Sequence, residues 1–142
     1  MIMFDVIVPT YNRYKELPLF FANNAILNRP DVAIWLVDDH SNEIIDSAVP
    51  NWSNIQFIKL AENKGQAFAR NIAIDKGTAP FVISLDDDAW FVEQEDVLST
   101  IVHFFETYPD TSCGMFNVAT PGSLYSTDKT GSVLTLHVTC GC

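Results

Sequence analysis

The sequence predicts an α/β fold built on a mostly parallel sheet. Short apolar runs of strand length alternate along the chain with segments of helical periodicity. One of those runs, residues 33–37 (AIWLV), is apolar without interruption, as expected of a strand covered on both faces. Neither internal repeats nor low-complexity stretches interrupt the alternation, and 142 residues suit one domain with a core of its own, spanning residues 1–142.

The elements follow in order. Residues 4–8 (FDVIV) read as a first strand, stopped by Pro9. Residues 14–27 read as a helix with Leu17, Phe20, Phe21, Asn24 and Ala25 on one face, and Pro18 falls in its first turn, where proline is tolerated. Residues 33–37 and 55–60 are the second and third strands. Residues 66–76 form a helix whose inner stripe is Phe68, Ile72 and Ala73, with Gly77 as its C-cap. Residues 81–85 (FVISL) are a fourth, buried strand. Residues 92–108 are largely helical, with Val97, Ile101, Phe104 and Phe105 inward and Pro109 closing the element. Residues 112–118 and 133–139 read as further strands. In the last, Leu134, Leu136 and Val138 alternate with Thr135, His137 and Thr139, which implies one exposed face. Between them, residues 122–131 form a loop rich in Ser, Thr and Gly.

Composition narrows the function. Apolar residues make up 48% and charged residues 18%, an ordinary globular balance. The net charge of −10 lacks the footprint of a nucleic-acid binder and is repelled by an anionic membrane surface. A phosphorylated ligand would need a cation to approach such a chain. No window reaches 18 consecutive apolar residues, so no transmembrane segment is expected. The opening MIMFD has neither a basic region nor a cleavage pattern, so no secretory signal is expected either. Cys113, Cys140 and Cys142 are odd in number, which fits a reduced, cytoplasmic setting, free or peripheral to the membrane. Cys140 and Cys142 are too close for a normal disulfide loop and supply only half of a zinc pattern.

In parallel sheets ligands bind at the carboxyl ends of the strands. Those ends read PTYNR (9–13), DDHS (38–41), ENKGQ (62–66) and DDDAW (86–90), and together they hold five aspartates. Adjacent carboxylates repel unless a cation or donor lies between them. Oxygen ligands suit a hard divalent ion, Mg²⁺ or Mn²⁺, which also holds phosphate oxygens. Taken singly, DDD also reads as a solvated turn or helix cap, and DDHS as a turn.

In this order the segments resemble family 2 glycosyltransferases of the GT-A fold, a Rossmann-like, mostly parallel sheet flanked by helices. FDVIVPTYNR (4–13) is similar to the family's first strand and loop, and WLVDDHS (35–41) to its second strand with an acidic end. NKGQAFARNIAI (63–74) resembles the loop and helix that follow, and ISLDDD (83–88) the metal-binding DxD region. The likeness is specific from Phe4 to Trp90 and loose beyond. It implies that Pro9, Thr10 and Tyr11 line the base and ribose of a nucleoside diphosphate sugar, and that Asp39 or Asp38 accepts a hydrogen bond from the base. Lys64 and Gly65 would lie beside the nucleotide and Asp87 against the ribose or sugar. Asp86 and Asp88 would be the acidic pair of DxD, with Asp88 the chief metal ligand. The implied reaction is inverting transfer of a hexose-type sugar to the hydroxyl of a glycan or lipid acceptor.

The family's general base is an Asp or Glu in a second, acceptor-facing half. Glu93, Glu95 and Asp96 match no base motif and read as the negative first turn of a helix. The chain is therefore expected to be a donor-binding part, truncated before that half. Arg70 and Lys64 read as phosphate contacts or, for Arg70, as a packing residue on a helix. Tyr11 reads as a stacking platform, and Trp35, Trp52 and Trp90 as core or lid aromatics. His40, His103 and His137 read as loop, structural or solvent-facing residues.

Three other readings compete. A phosphoacceptor receiver domain would carry its acidic pair after the first strand, where this chain has PTYN (9–12). A non-catalytic nucleotide-binding module would share the fold without transfer activity. A structural α/β domain would bind no nucleotide with metal.

Overall fold

A computed structural model describes residues 1–91 and 97–114. The chain divides into two compact units, Met1–Gln94 and Glu95–Cys142. The first holds strands β1 (Phe4–Thr10), β2 (Val32–Asp38), β3 (Ile55–Lys59) and β4 (Phe81–Ser84), with helices α1 (Leu17–Asn23) and α2 (Gln66–Lys76). The four strands form one parallel sheet in the order β3-β2-β1-β4. From β1 the chain moves outward to β2 and β3, then returns through α2 to β4 on the far side of β1. The sheet therefore switches direction between β1 and β4.

Both faces of the central strands are covered, which is why they are apolar throughout. On one face Ile7 and Val37 cluster with Ala69 and Ala73 of α2, and Trp35, Ile58 and Leu60 pack against them. The alternate residues Val6, Val8, Ile34 and Leu36 point to the other face and are equally buried. Each large aliphatic side chain removed from water contributes about 1.5–3 kcal/mol.

The inner stripe of α2 differs from the expected Phe68, Ile72 and Ala73. Ala69 and Ala73 face the sheet, and Phe68 is 42% exposed. Alanines let the helix backbone lie close to Ile7 and Val37, where a phenylalanine would hold it away. The bounds of α2 are as the sequence predicts, with Gly77 just past its end.

The first helix is shorter than expected. Residues 14–16 precede it, and it closes at Asn23 before a single 3₁₀ turn at Ala25–Leu27. Pro18 sits in the first turn and sets the start. Asn24 leaves helical geometry after its backbone amide closes the last turn on the Phe20 carbonyl, to which its side-chain amide also donates at 3.0 Å.

Strand β1 runs two residues beyond Val8, pairing Pro9 with Val37 and Thr10 with Asp38. Its pairing with β4 ends at Ile7 with Ser84, so proline's missing N–H falls where one neighbour has already stopped. At the opposite edge of the sheet Asp5 is buried. It accepts hydrogen bonds from Trp35 Nε1 at 2.7 Å and from the Ala79 amide at 2.6 Å.

In the second unit, helix α3 spans Val97–Thr107 and buries Val97, Leu98 and Ile101. Phe104 meets Phe105 edge-on at 5.2 Å. The expected helix began at residue 92, and residues 92–96 lie outside the described residues. So do the expected strand 133–139 and residues 115–118 of the strand expected at 112–118; residues 112–114 are not in a strand. Among the described residues no helix is long and apolar enough to cross a membrane.

Candidate functional site

The site grows from the carboxyl edge of the sheet. Strand pairing sets Thr10 beside Asp38, and the Asp39 amide donates to the Thr10 carbonyl at 2.9 Å, so the ends of β1 and β2 are level. Across the switch point the Thr10 hydroxyl donates to Asp87 Oδ2 at 2.7 Å. A cleft of about 190 Å³ opens there, lined by Pro9, Thr10, Tyr11, Arg13, Asp39, Gln66 and Asp87. Such a switch point is where open α/β sheets hold ligands. Five residues singled out from the sequence, Pro9, Thr10, Tyr11, Asp39 and Asp87, thus meet in one cleft. Tyr11 is 45% exposed, with its ring free to meet a planar ligand.

Two further links shape the cleft wall. Asn12 takes up φ +55°, a left-handed conformation that asparagine tolerates. Its amide donates to Ser41 Oγ at 2.7 Å, and its side-chain oxygen accepts from the Asn42 amide at 2.9 Å. The Ser41 hydroxyl donates in turn to Asp38 Oδ1. Asp38 is fully buried and is not part of the cleft lining, with Lys59 Nζ 3.5 Å from its second oxygen.

Asp39 is held from the other side. Its two carboxylate oxygens accept the Lys64 and Gly65 amides, each at 2.7 Å. Gly65 precedes α2 at φ +88°, the left-handed region open to glycine. That conformation turns its N–H toward Asp39, and the start of α2 adds a favourable dipole. The side chain of Lys64 instead meets Glu62 at 2.6 Å, and this partner holds the Glu62 carboxyl below its usual range.

The acidic triplet follows β4. Asp87 is buried, and burial pushes its carboxyl above the usual range, against the lowering pull of the Thr10 hydroxyl and of Arg13. Its neighbours stand at the rim, with the Asp86 and Asp88 side chains 59% and 58% exposed. Asp86 is paired with Arg70, which also donates to Ser84 Oγ and Gln66 Oε1, each at 3.0 Å. Arg13 Nη2 lies 3.3 Å from Asp88 Oδ2, and its Nε 3.7 Å from Asp87 Oδ1.

Among the described residues no three His, Cys, Asp or Glu side chains converge as a ready metal cage. Two exposed carboxylates at a strand end fit a different kind of site. Mg²⁺ or Mn²⁺ that takes one or two protein oxygens fills its other positions from phosphate and water.

Asn24, read from the sequence only as a face residue of the first helix, ties that helix to the segment just past the triplet. It is fully buried, donates to the Ala89 carbonyl at 3.0 Å and accepts the Phe91 amide at 3.2 Å. Trp90 lies between those two anchors and is 41% exposed. Arg13 and Gln66 line the cleft as well. Both stood inside the quoted motifs, and only folding shows that they reach it.

The family described as Glycosyl transferase family 2 matches residues 5–132. The chain belongs to that family. An uncharacterized glycosyltransferase of Haemophilus influenzae is 28% identical over 122 residues, 81% of this chain and 41% of the relative. A teichoic acid poly(glycerol phosphate) polymerase of Staphylococcus epidermidis is 43% identical over 51 residues, 35% of this chain and 7% of the relative. Among solved structures, S. aureus TarS 1–349 is 25% identical at a TM-score of 0.67, covering 90% of this chain and 40% of that one. The mannosyltransferase PcManGT of Pyrobaculum calidifontis, solved with GDP-Man and Mn²⁺, is 27% identical at 0.68, covering 83% of this chain and 36% of that one. The family 2 chain described here has the GT-A architecture of these neighbours, and it spans well under half the length of each relative.

Proposed function

We propose that this family 2 domain binds a nucleoside diphosphate sugar in the cleft between β1 and β4, for inverting transfer of the sugar to an acceptor hydroxyl. The observation that carries the reading is the convergence of Pro9, Thr10, Tyr11, Asp39 and Asp87 on that one cleft, beside the exposed Asp86 and Asp88. Tyr11 and Pro9 flank the base. A carboxylate oxygen accepts more than one hydrogen bond, so Asp39 accepts from the base while the Lys64 and Gly65 amides fix its plane. Asp87, oriented by Thr10, faces the ribose or sugar. Asp86 and Asp88, chiefly Asp88, hold Mg²⁺ or Mn²⁺; when bound, the cation supplies neutralising charge for the departing diphosphate. PcManGT, solved with GDP-Man and Mn²⁺, supports this use of the edge.

No catalytic base is assigned within the chain. The general base and the surface that reads a glycan or lipid acceptor belong, in this reading, to a further half of a longer enzyme, which agrees with the share of each relative that the chain spans.

A non-catalytic nucleotide-binding module is the second reading, favoured by that same partial coverage. Radiolabelled UDP-, GDP-, dTDP- and CDP-sugars are tested in equilibrium dialysis; one class retained with Mn²⁺ and released by EDTA would support donor binding, and no retention of any would contradict it. Metal-dependent hydrolysis of the retained donor separates the enzyme from the binding module.

A further inference from the structure

We propose that Arg13 and the divalent cation are alternative partners of Asp88. Arg13 neutralises the acidic edge while the site is empty and turns to the donor diphosphate when the cation enters. This rests on the metal-dependent donor reading above.

The edge has a charge problem to solve. Asp39 and Asp87 line a cleft in a chain of net charge −10, the exposed Asp86 and Asp88 flank Asp87 in sequence, and the donor adds two phosphates of the same sign. Two arginines answer it differently. Arg70 is fixed: it holds Ser84 and Gln66 as well as Asp86, so it is tied into α2 and the end of β4. The Arg13 guanidinium has only Asp87 and Asp88 as partners among the described residues. Its backbone is anchored, since the Arg13 carbonyl accepts the Glu16 and Leu17 amides at 3.1 and 3.0 Å. Its side chain is 41% exposed and lines the cleft.

The contacts themselves are those of a displaceable partner. One atom of the guanidinium reaches each carboxylate, at 3.3 and 3.7 Å, where a bidentate fork would sit at about 2.7–2.9 Å. A divalent ion at Asp88 carries twice the charge of Arg13 at the same oxygens. A planar guanidinium released into the cleft matches phosphate oxygens with two parallel N–H donors. The exchange keeps the acidic edge neutralised in both states and moves one positive charge onto the diphosphate only when the metal is in place.

The test compares wild type, Arg13→Gln and Arg29→Gln. The last removes equal charge from a pair with Asp31 on a different segment of the chain. Free Mn²⁺ is read by electron paramagnetic resonance without nucleotide, and UDP and GDP binding by calorimetry at saturating Mn²⁺. Arg13→Gln is expected to bind Mn²⁺ alone several-fold more tightly than wild type and the nucleotide about tenfold more weakly, the scale of one lost charge-assisted pair. Arg29→Gln is expected to match wild type in both. A variant that is merely misfolded weakens both, so the opposite signs identify the exchange. If Arg13→Gln binds Mn²⁺ no more tightly than wild type, or no more tightly than Arg29→Gln, the exchange is overturned. In that case wild type that still takes Mn²⁺ with nucleotide, and loses it in Asp88→Ala, leaves the donor reading standing. If no variant binds Mn²⁺ with or without nucleotide, both are overturned.

Discussion

Thr10 and Asp87, 77 residues apart, meet through a 2.7 Å hydrogen bond at the point where the sheet switches direction. Burial raises the Asp87 carboxyl above its ordinary 3.8, and Thr10 and Arg13 offset this only in part. In the interval above pH 3.8 the folded chain therefore holds the proton more tightly than the unfolded chain does. Stability falls as pH rises through that interval, and the ionised Asp87 opposes folding at neutral pH. Asp87→Asn keeps an acceptor for Thr10 and removes the charge. Melting curves from pH 3 to 7 should show this variant more stable than wild type at pH 7, with a flatter acid limb. Nucleotide binding should weaken, as expected where a functional site holds strain. A variant less stable than wild type at pH 7 would show that Asp87 stabilises the fold.

Asn24 bridges α1 to the segment after the acidic triplet through Ala89 and Phe91. Asn24→Ala removes the side-chain acceptor of the buried Phe91 amide and the donor to the Ala89 carbonyl, at a cost of about 1–3 kcal/mol. Urea unfolding should register that loss. The affinity for Mn²⁺ with nucleotide should fall beyond what global unfolding explains, because the triplet loses its anchor. An unchanged affinity would make Asn24 a residue of the fold alone.

Two glycines separate conformation from space. An added Cβ at Gly65 would meet nothing within 4 Å, so the strain of Gly65→Ala lies in the backbone, at φ +88° and ψ 156°, a region essentially confined to glycine that costs about 1–3 kcal/mol. Relief of that strain turns the amide away from Asp39 and should weaken nucleotide binding. At Gly77 the Cβ would stand 2.6 Å from Asp5 Oδ2, a carboxylate fixed by Trp35 and Ala79. Gly77→Ala should cost about 1–3 kcal/mol by overpacking. Asp5 lies at the opposite edge from the cleft, so nucleotide affinity of the folded fraction should be retained. Equal effects of the two variants on binding would contradict the division.

Ser41 links buried Asp38 to the turn that carries Tyr11. Ser41→Ala removes a hydrogen bond to a buried carboxylate, which is about 1.5–3 kcal/mol. It also frees the Asn12 turn. Chemical denaturation should show the loss, and the affinity of the folded fraction for nucleotide should weaken. An affinity equal to wild type would mean that the turn stands without Ser41.

Much of this was legible in the chain. The parallel sheet followed from apolar runs with polar ends, and α2 from an apolar pattern between Gly65 and Gly77. Where the reading differed, a side chain chose a partner that periodicity does not report. Where α1 ends, the Asn24 side chain turned to Ala89 and Phe91, and alanine rather than phenylalanine met the sheet because the helix packs close. The carboxylates at the strand ends were visible, but the partners of Asp38, Asp39 and Asp88 come from segments up to 75 residues away. Pair distances such as Arg13 to Asp88 exist only after folding.

The central claim is a metal-dependent donor site at Thr10, Asp39 and Asp86–Asp88, and melting temperature tests it most directly. Wild type and Asp88→Ala are each heated with UDP, GDP, dTDP and CDP, in Mn²⁺ and again in EDTA. A ligand at about 100 times its Kd adds about 2.7 kcal/mol. The account predicts a shift of wild type with one nucleotide class in Mn²⁺ only, lost in Asp88→Ala. A shift that survives EDTA or Asp88→Ala, or no shift with any nucleotide, would contradict it.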